Sequence, residues 1–323
     1  DLHRVDRRQR QMCIRDRSEQ GGKVMKLGER FRAFWNKPSH IAYLFIAPVM
    51  ILLVTFSIIP MIASFFLSTF DADIFLKDIK FIGLGNYQEA LQDPRFWNGL
   101  WVTVKFAVVE VPIQMVVAMI LAALVTKNSV QNKIFRGIYF LPIICSATAV
   151  AIMWRMFLHS SVGIFTYFLE LMGIRGVNFL NSPDITIYVI IFMSVWKTFG
   201  ISTIIFVSAM QNVPKDLYEA ADLDGCSKIK QFFKITIPII MPTFSFILIT
   251  RLIGSLQVFD IIFTTTGGGP NYTTESLVTY VYTRAFSTQN RLGYATALSE
   301  FLFGLILVLT VIMYGKMFKN KNN

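Results

Sequence analysis

Apolar stretches long enough to span hydrocarbon, at about 20 residues each, recur along this chain with short polar gaps between them. They run over residues 41–68, 100–126, 138–158, 185–210, 242–264 and 295–317. The pattern predicts an all-α integral membrane protein with six transmembrane helices filling residues 41–317. Pro48 and Pro60 lie within the first stretch, where neighbouring helices can satisfy the backbone groups that a proline frees.

One polar gap carries a pattern of its own. Residues 211–242 are too polar for hydrocarbon, yet they read as two short helices meeting at a sharp turn. Pro214 suits a first helical turn, Leu217, Ala220 and Ala221 share a face, and Gly225 can take the left-handed conformation that ends a helix. Ser227 can cap a second helix, whose Ile229, Phe232 and Phe233 form an apolar face before Pro238 and Pro242 restart the chain. On these grounds alone the loop reads equally as an amphipathic hairpin on lipid headgroups or as a docking element.

Composition supports the membrane reading and charge orients it. The 323 residues are 54% hydrophobic and only 16% charged, where a soluble domain carries about 25% charge. Short loops rich in Lys and Arg stay cytoplasmic. Lys127, Lys133 and Arg136 follow the second stretch, Lys215, Lys228, Lys230 and Lys234 the fourth, and Lys316, Lys319 and Lys321 close the chain. Both termini are therefore expected on the cytoplasmic side of a cell membrane. The net charge of +11 concentrates in residues 1–40, with eleven basic residues against five acids. No helix-turn-helix or zinc-finger pattern accompanies it, so nucleic acid is not expected as a partner. Residues 1–24 read as a non-native or disordered basic extension before Met25, residues 25–40 as a cytoplasmic segment, and residues 318–323 as a cytoplasmic tail. Cys13, Cys145 and Cys226 have neither disulfide nor metal spacing.

The string Glu219-Ala220-Ala221, Asp224-Gly225, then Ile235 and Pro238 resembles the EAA loop of importer-type ABC transporter permeases, E-A-A-x-x-D-G followed by I-x-x-P. The resemblance covers roughly residues 42–314 and is to the carbohydrate, maltose-type branch. Phe81-Ile82-Gly83-Leu84, Asn86-Tyr87 and Asp93-Pro94-Arg95-Phe96-Trp97 resemble that branch's first outside loop. Thr266-Gly267-Gly268-Gly269-Pro270 resembles its last one, and Gly293-Tyr294-Ala295 its approach to the final helix. Gly163-Ile164-Phe165-Thr166 departs from the branch, which often has Asn there.

The resemblance implies a permease subunit that translocates a sugar or related carbohydrate. Its implied partners are a second permease subunit, two copies of a cytoplasmic ATPase docked on the EAA loop, and an extracytoplasmic solute-binding protein. It also gives Glu219 a polar contact with the ATPase and Gly225 the turn that aims the loop. No G-x-x-x-x-G-K-[ST] loop occurs, so ATP and Mg are expected on partner subunits and this chain is expected to be no enzyme.

Ionisable residues inside spans are costly and are functional candidates by default. Here they are Glu110, Arg155, Lys197, Arg251, Asp260 and Glu300. Glu110, Gln114, Arg251, Gln257 and Asp260 are candidates for a polar translocation path, while Arg155 and Lys197 read equally as interfacial. The glycine run 267–269 reads as a mobile outside loop for a substrate-delivering protein. A gradient-driven secondary transporter is the alternative, with Glu110, Asp260 and Glu300 as its only candidate ion site. A membrane enzyme fits less well, because neither H-E-x-x-H nor G-x-S-x-G occurs.

Overall fold

The computed structural model describes residues 38–319 apart from residue 78 and residues 287–289. The extension 1–24, nearly all of the segment 25–40 and the end of the tail lie outside the described residues. The chain falls into two compact units, residues 1–63 and 64–323.

In the first unit, α1 (Pro38–Leu53) passes through a π-turn at Val54–Ile58 into α2 (Ile59–Leu67), which runs on into the second unit. The backbone N–H of Ile59 reaches the carbonyl of Val54, one residue further back than in an α-helix. That slip in register sits next to Pro60, which has no N–H to contribute to the ladder.

The second unit begins with a small antiparallel pair, β1 (Phe70–Asp71) and β2 (Lys80–Phe81), followed by α3 (Gly85–Gln92). The segment between the first and second spans is thus a folded cap. Asp93 starts α4 (Pro94–Val125) by accepting a hydrogen bond from the Arg95 N–H at 2.8 Å, with Pro94 in the first turn where its missing N–H costs nothing. The second span therefore starts about six residues earlier than the apolar stretch predicts.

The third span is not one helix. α5 (Val130–Ile144) and α6 (Ala147–Phe157) meet at 95° across Cys145 and Ser146. Ser146 caps α6, and Lys197 Nζ donates to the Cys145 carbonyl at 2.9 Å. The break thus has its freed backbone groups satisfied at both ends. α7 (Ile164–Leu171) leads to α8 (Thr186–Gln211), the fourth span. Gly200 of α8 lies against α5 so closely that a Cβ there would collide with the Tyr139 carbonyl.

The 211–242 segment also differs from expectation. α9 (Lys215–Leu223) is the first short helix, with Pro214 as its N-cap rather than in its first turn. The second is no separate helix. α10 (Lys228–Gln231), a π-turn at Phe232–Thr236 and α11 (Ile237–Leu256) form one rod of 29 residues. Pro238 and Pro242 do not restart the chain, because the π-turn absorbs the register change ahead of Pro238 as it does ahead of Pro60. This fifth span ends at Leu256, and the predicted remainder is α12 (Asp260–Thr265), a turn apart. α13 (Leu277–Phe286) and α14 (Leu292–Lys319) complete the chain. Counting the broken pair as one, the described helices supply six spans.

Packing follows three apolar clusters. Phe106, Ala151, Ile190, Met193 and Ile262 join α4, α6, α8 and α12. Met115, Ala118, Phe206, Met210 and Ile247 join α4, α8 and α11, with Tyr218, Phe232 and Ile235 of the 211–242 segment against them. Phe96, Leu277, Tyr280, Tyr294 and Leu298 tie α4 to α13 and α14.

Candidate functional site

Two of the predicted groups come together as sites, at different levels of the molecule. The first lies inside the spans, between α4, α8 and α11. Arg251 Nη2 stands 2.9 Å from Glu110 Oε1 and donates to Thr198 Oγ1 at 3.1 Å. Ser194 Oγ donates to the same Glu110 oxygen at 3.3 Å. One turn along α4, Gln114 Nε2 donates to Ser202 Oγ at 2.8 Å. Glu110 and Gln114 are both 0% exposed, so the ion pair is enclosed and its geometry matters.

Ser194, Thr198 and Ser202 recur every four residues on α8, which places three hydroxyls on one stripe opposite the acid and the arginine. Composition alone does not flag them, but that period in an apolar stretch is the signal that finds them. Glu110 Oε2, Gln114 Oε1 and Arg251 Nε are buried without a partner among the described residues. Open hydrogen-bonding capacity of this kind is what recognition of a solute hydroxyl requires.

Gln257 and Asp260 do not join this cluster. Both are exposed on the connection from α11 to α12, and neither side chain bonds to Glu110, Gln114 or Arg251. Glu300 accepts from Ser64 Oγ at 3.3 Å, away from the pair, so the three acids of a candidate ion site are not gathered.

The second site is the α9–α10 elbow. Gly225 has φ +70°, with its N–H on the Asp222 carbonyl at 3.1 Å and the Cys226 N–H on the Ala221 carbonyl at 2.9 Å. Those two bonds form a Schellman close, which needs a left-handed residue at this position. Lys228 Nζ contacts both Asp222 carboxylate oxygens at 2.7 Å, and Gln231 Nε2 donates to Asp222 Oδ1 at 2.6 Å and to the Cys226 carbonyl at 2.9 Å. The Lys228 ammonium, followed by the Gln231 amide, holds the Asp222 carboxyl below its usual range. Tyr218 and Thr236 share a 2.7 Å hydroxyl contact that fastens α9 to the rod.

Tyr218, rather than the predicted Leu217 face, seats the elbow on the apolar cluster. Glu219, Ala220, Asp224, Gly225 and Pro238 are exposed, while Ala221 and Ile235 are half-buried. Leu223 is 91% exposed and Ile229 74%, with Phe233 also outward. The elbow is internally braced, yet it presents apolar side chains beside its acidic residues. Tyr218, Asp222, Gln231 and Thr236 belong to its working structure and stand outside the sequence motif.

The remaining motif residues build the cap beside the start of α4. Asp93 accepts from the hydroxyls of Tyr280 and Tyr294, and Arg284 Nε donates to Tyr280 at 2.6 Å. Arg95 makes a two-pronged bond of 2.7 Å per arm to Glu275. Burial pulls the Asp93 carboxyl upward, but the two tyrosines, the Arg95 N–H and the Arg284 charge hold it below its usual range. Burial, then the Asp93 bond, pushes the Tyr280 hydroxyl up to about 12. The glycine run expected to be mobile is tied down: Thr274 Oγ1 donates to the Gly269 carbonyl at 2.6 Å and touches Thr266 Oγ1 at 2.9 Å.

Comparison with known proteins follows the same geometry. The family described as binding-protein-dependent transport system inner membrane component matches residues 114–317. The trehalose/maltose transport system permease protein MalF of Thermococcus litoralis is 31% identical over 276 residues, 85% of this chain and 93% of its own. The lactose transport system permease protein LacF of Rhizobium radiobacter is 33% identical over 277 residues, 84% and 92% of the two chains. A crystal structure of a bacterial ABC transporter involved in the import of the acidic polysaccharide alginate shares the fold, with TM-score 0.75 and 24% identity over 90% of this chain and 98% of that one.

Proposed function

Because the chain belongs to the family of binding-protein-dependent transport system inner membrane components, as the multi-pass permease of a carbohydrate-type ABC importer, we propose how its two sites divide the work. The elbow at residues 215–231 receives the force of ATP hydrolysis, and the Glu110, Gln114 and Arg251 cluster meets the solute. Membership leaves the gradient-driven reading without support, and ATP hydrolysis belongs to partner subunits.

The observation that carries the coupling role is the elbow's construction. Its interior bonds spend Asp222, Lys228 and Gln231 on rigidity, and Glu219, Leu223, Ile229 and Phe233 remain outward. A rigid lever with an apolar and acidic outer surface suits docking in a cleft of a cytoplasmic ATPase, with Glu219 as the polar contact and Gly225 setting the angle. Ala220, Ala221 and Asp224 shape the same surface, and Ile235 and Pro238 join it to the fifth span. ATP can bias the inward-facing and outward-facing states only by binding the assembly differently in each. Through Tyr218, Thr236 and the continuous rod to Arg251, motion of the elbow reaches the intramembrane pair directly.

In this reading Glu110, Gln114 and Arg251 offer a hydroxyl-rich solute one acceptor, one amide and one donor fork. Gln257 and Asp260 meet the solute only at the outer approach. Two relatives carry the names of trehalose/maltose and lactose systems, which supports a sugar or related carbohydrate as cargo. A second permease subunit, two ATPase copies and an extracytoplasmic solute-binding protein complete the assembly. The basic loops support a cytoplasmic side for both termini.

Co-purification tests the reading. The chain is tagged, expressed with its neighbouring genes and solubilised. An ATPase is expected on wild type and absent from the Glu219→Ala/Gly225→Asp variant. An ATPase that is expressed yet never bound to wild type would overturn the coupling role.

A further inference from the structure

A second polar cavity lies apart from the Glu110–Arg251 cluster, at the end of the molecule where α4 and α8 begin and opposite the elbow. It has a volume of about 270 Å³ and is walled by the end of α6, the connections before α7 and α8, and the turn after α12. Arg155, His159, Asn178, Asn181, Thr265 and Thr266 supply its chemistry, and none of the lining residues is acidic.

The walls are built rather than loose. Thr166 Oγ1 and the Gly163 N–H both bond the His159 carbonyl, at 2.9 and 3.0 Å. Ser182 Oγ bonds the Asn178 carbonyl at 2.7 Å, and buried Thr274 bonds the Gly269 carbonyl at 2.6 Å. These bonds fix the backbone and leave the side chains for the cavity. Among the described residues the Arg155 guanidinium has neither an ion pair nor a hydrogen bond, and the Asn178 and Asn181 amides have no partner. His159 Nδ1 faces the Ser161 N–H at 3.3 Å as acceptor, which assigns the proton to Nε2 and makes that nitrogen a donor. Thr265 Oγ1 donates to the Ile261 carbonyl and keeps its lone pairs for a ligand, whereas Thr266 Oγ1 is engaged by the Ile262 carbonyl, the Gly268 N–H and Thr274 Oγ1.

We propose that this cavity is a subsite for the acidic end of a carbohydrate, with Arg155 pairing the anion while Asn178, Asn181 and the His159 donor bond ring hydroxyls. An unpaired guanidinium among neutral amides and hydroxyls selects an anion over a neutral group, because its planar fork matches a carboxylate. The two amides, each donor and acceptor, suit hydroxyls that are both. The volume of about 270 Å³ lies just below the range for ligand pockets, which starts at about 300 Å³, and so admits one ring rather than an oligosaccharide. Only the identification of the ligand as a carbohydrate rests on the permease reading above.

The test uses the full chain in lipid nanodiscs without ATPase, titrated by calorimetry with D-glucuronate, D-glucose and inorganic sulfate. Glucuronate is expected to bind about tenfold or more tightly than glucose or sulfate, and to weaken as salt rises. Arg155→Gln should bring glucuronate down to the level of glucose, Arg155→Lys should keep part of the difference, and Asn178→Ala should weaken both sugars. The proposal is overturned if wild type fails to bind glucuronate, if glucose or sulfate binds as tightly, or if Arg155→Gln, eluting as a monodisperse particle, is unchanged. ATPase co-purification should be untouched by Arg155→Gln. Its failure in wild type would count against the permease assembly and leave glucuronate binding standing.

Discussion

Replacing Arg251 by methionine removes one partner of an ion pair whose other member, Glu110, is fully enclosed. At 2.9 Å and an effective dielectric constant of about 20, the gross attraction is about 6 kcal/mol. Desolvation of both charges cancels much of it, so the net worth of the pair is small, but stranding one charge is costly. Loss of a single partner from a buried pair destabilises by about 3–5 kcal/mol. The same cost applies to Arg251→Met here, because among the described residues Ser194 at 3.3 Å is the only other donor to Glu110. Glu110→Gln/Arg251→Met removes both charges and should return to within about 1–2 kcal/mol of wild type, so the double variant should be more stable than Arg251→Met alone. Steric trapping in bicelles measures these free energies reversibly. A single-variant cost below about 1 kcal/mol would mean the charges do not meet as described. Uptake then separates structure from path. The neutral double variant should fold but transport poorly if the pair meets solute, and full uptake would refute the path role.

Further expectations follow from the elbow, the broken span and the cap. Gly225 has open space around a would-be Cβ, so substitution costs backbone strain alone, about 1–2 kcal/mol for most residues. Uptake should fall in the order Asn, Ala, Val, and equal loss in all three would place the defect in side-chain volume at the partner face instead. Lys197→Met deletes the 2.9 Å bond to the Cys145 carbonyl and should cost about 1.5–3 kcal/mol; an unchanged unfolding curve would refute the capping role. Asp93, held below its usual range, contributes stability that is present above the unfolded carboxylate value of about 3.9 and is lost as pH falls through the lower folded value. Asp93→Asn should flatten that acid limb of the thermal stability profile, and an unaltered limb would assign the acid sensitivity elsewhere.

The two sites differ in how far they could be read from the residues. The elbow was legible because its signals are local: a left-handed glycine, a serine cap and a fixed motif spacing all act within one or two turns. Its bracing was not, since Asp222 meets Lys228 and Gln231 only after the turn has folded back. Of the five path candidates, three converge and two do not. Hydropathy ranks ionisable residues by cost in lipid, and that cost says nothing about which helix faces meet. The broken third span escaped detection for a related reason: its apolar stretch is uninterrupted, and the bend is stabilised by Lys197 from another helix. Prolines misled in the opposite direction at Pro238, where a π-turn keeps the rod continuous.

Membership in the membrane, the number of spans and the turn of the elbow were therefore determined by the sequence itself, because transfer into hydrocarbon and turn geometry depend on side chains within a single segment. Tertiary structure alone decided that Glu110 faces Arg251, that Ser194 and Thr198 of α8 serve them, and that Arg155 opens into a polar cavity. Those facts depend on helix rotation and depth. Packing sets both, across residues 53 to 141 positions apart.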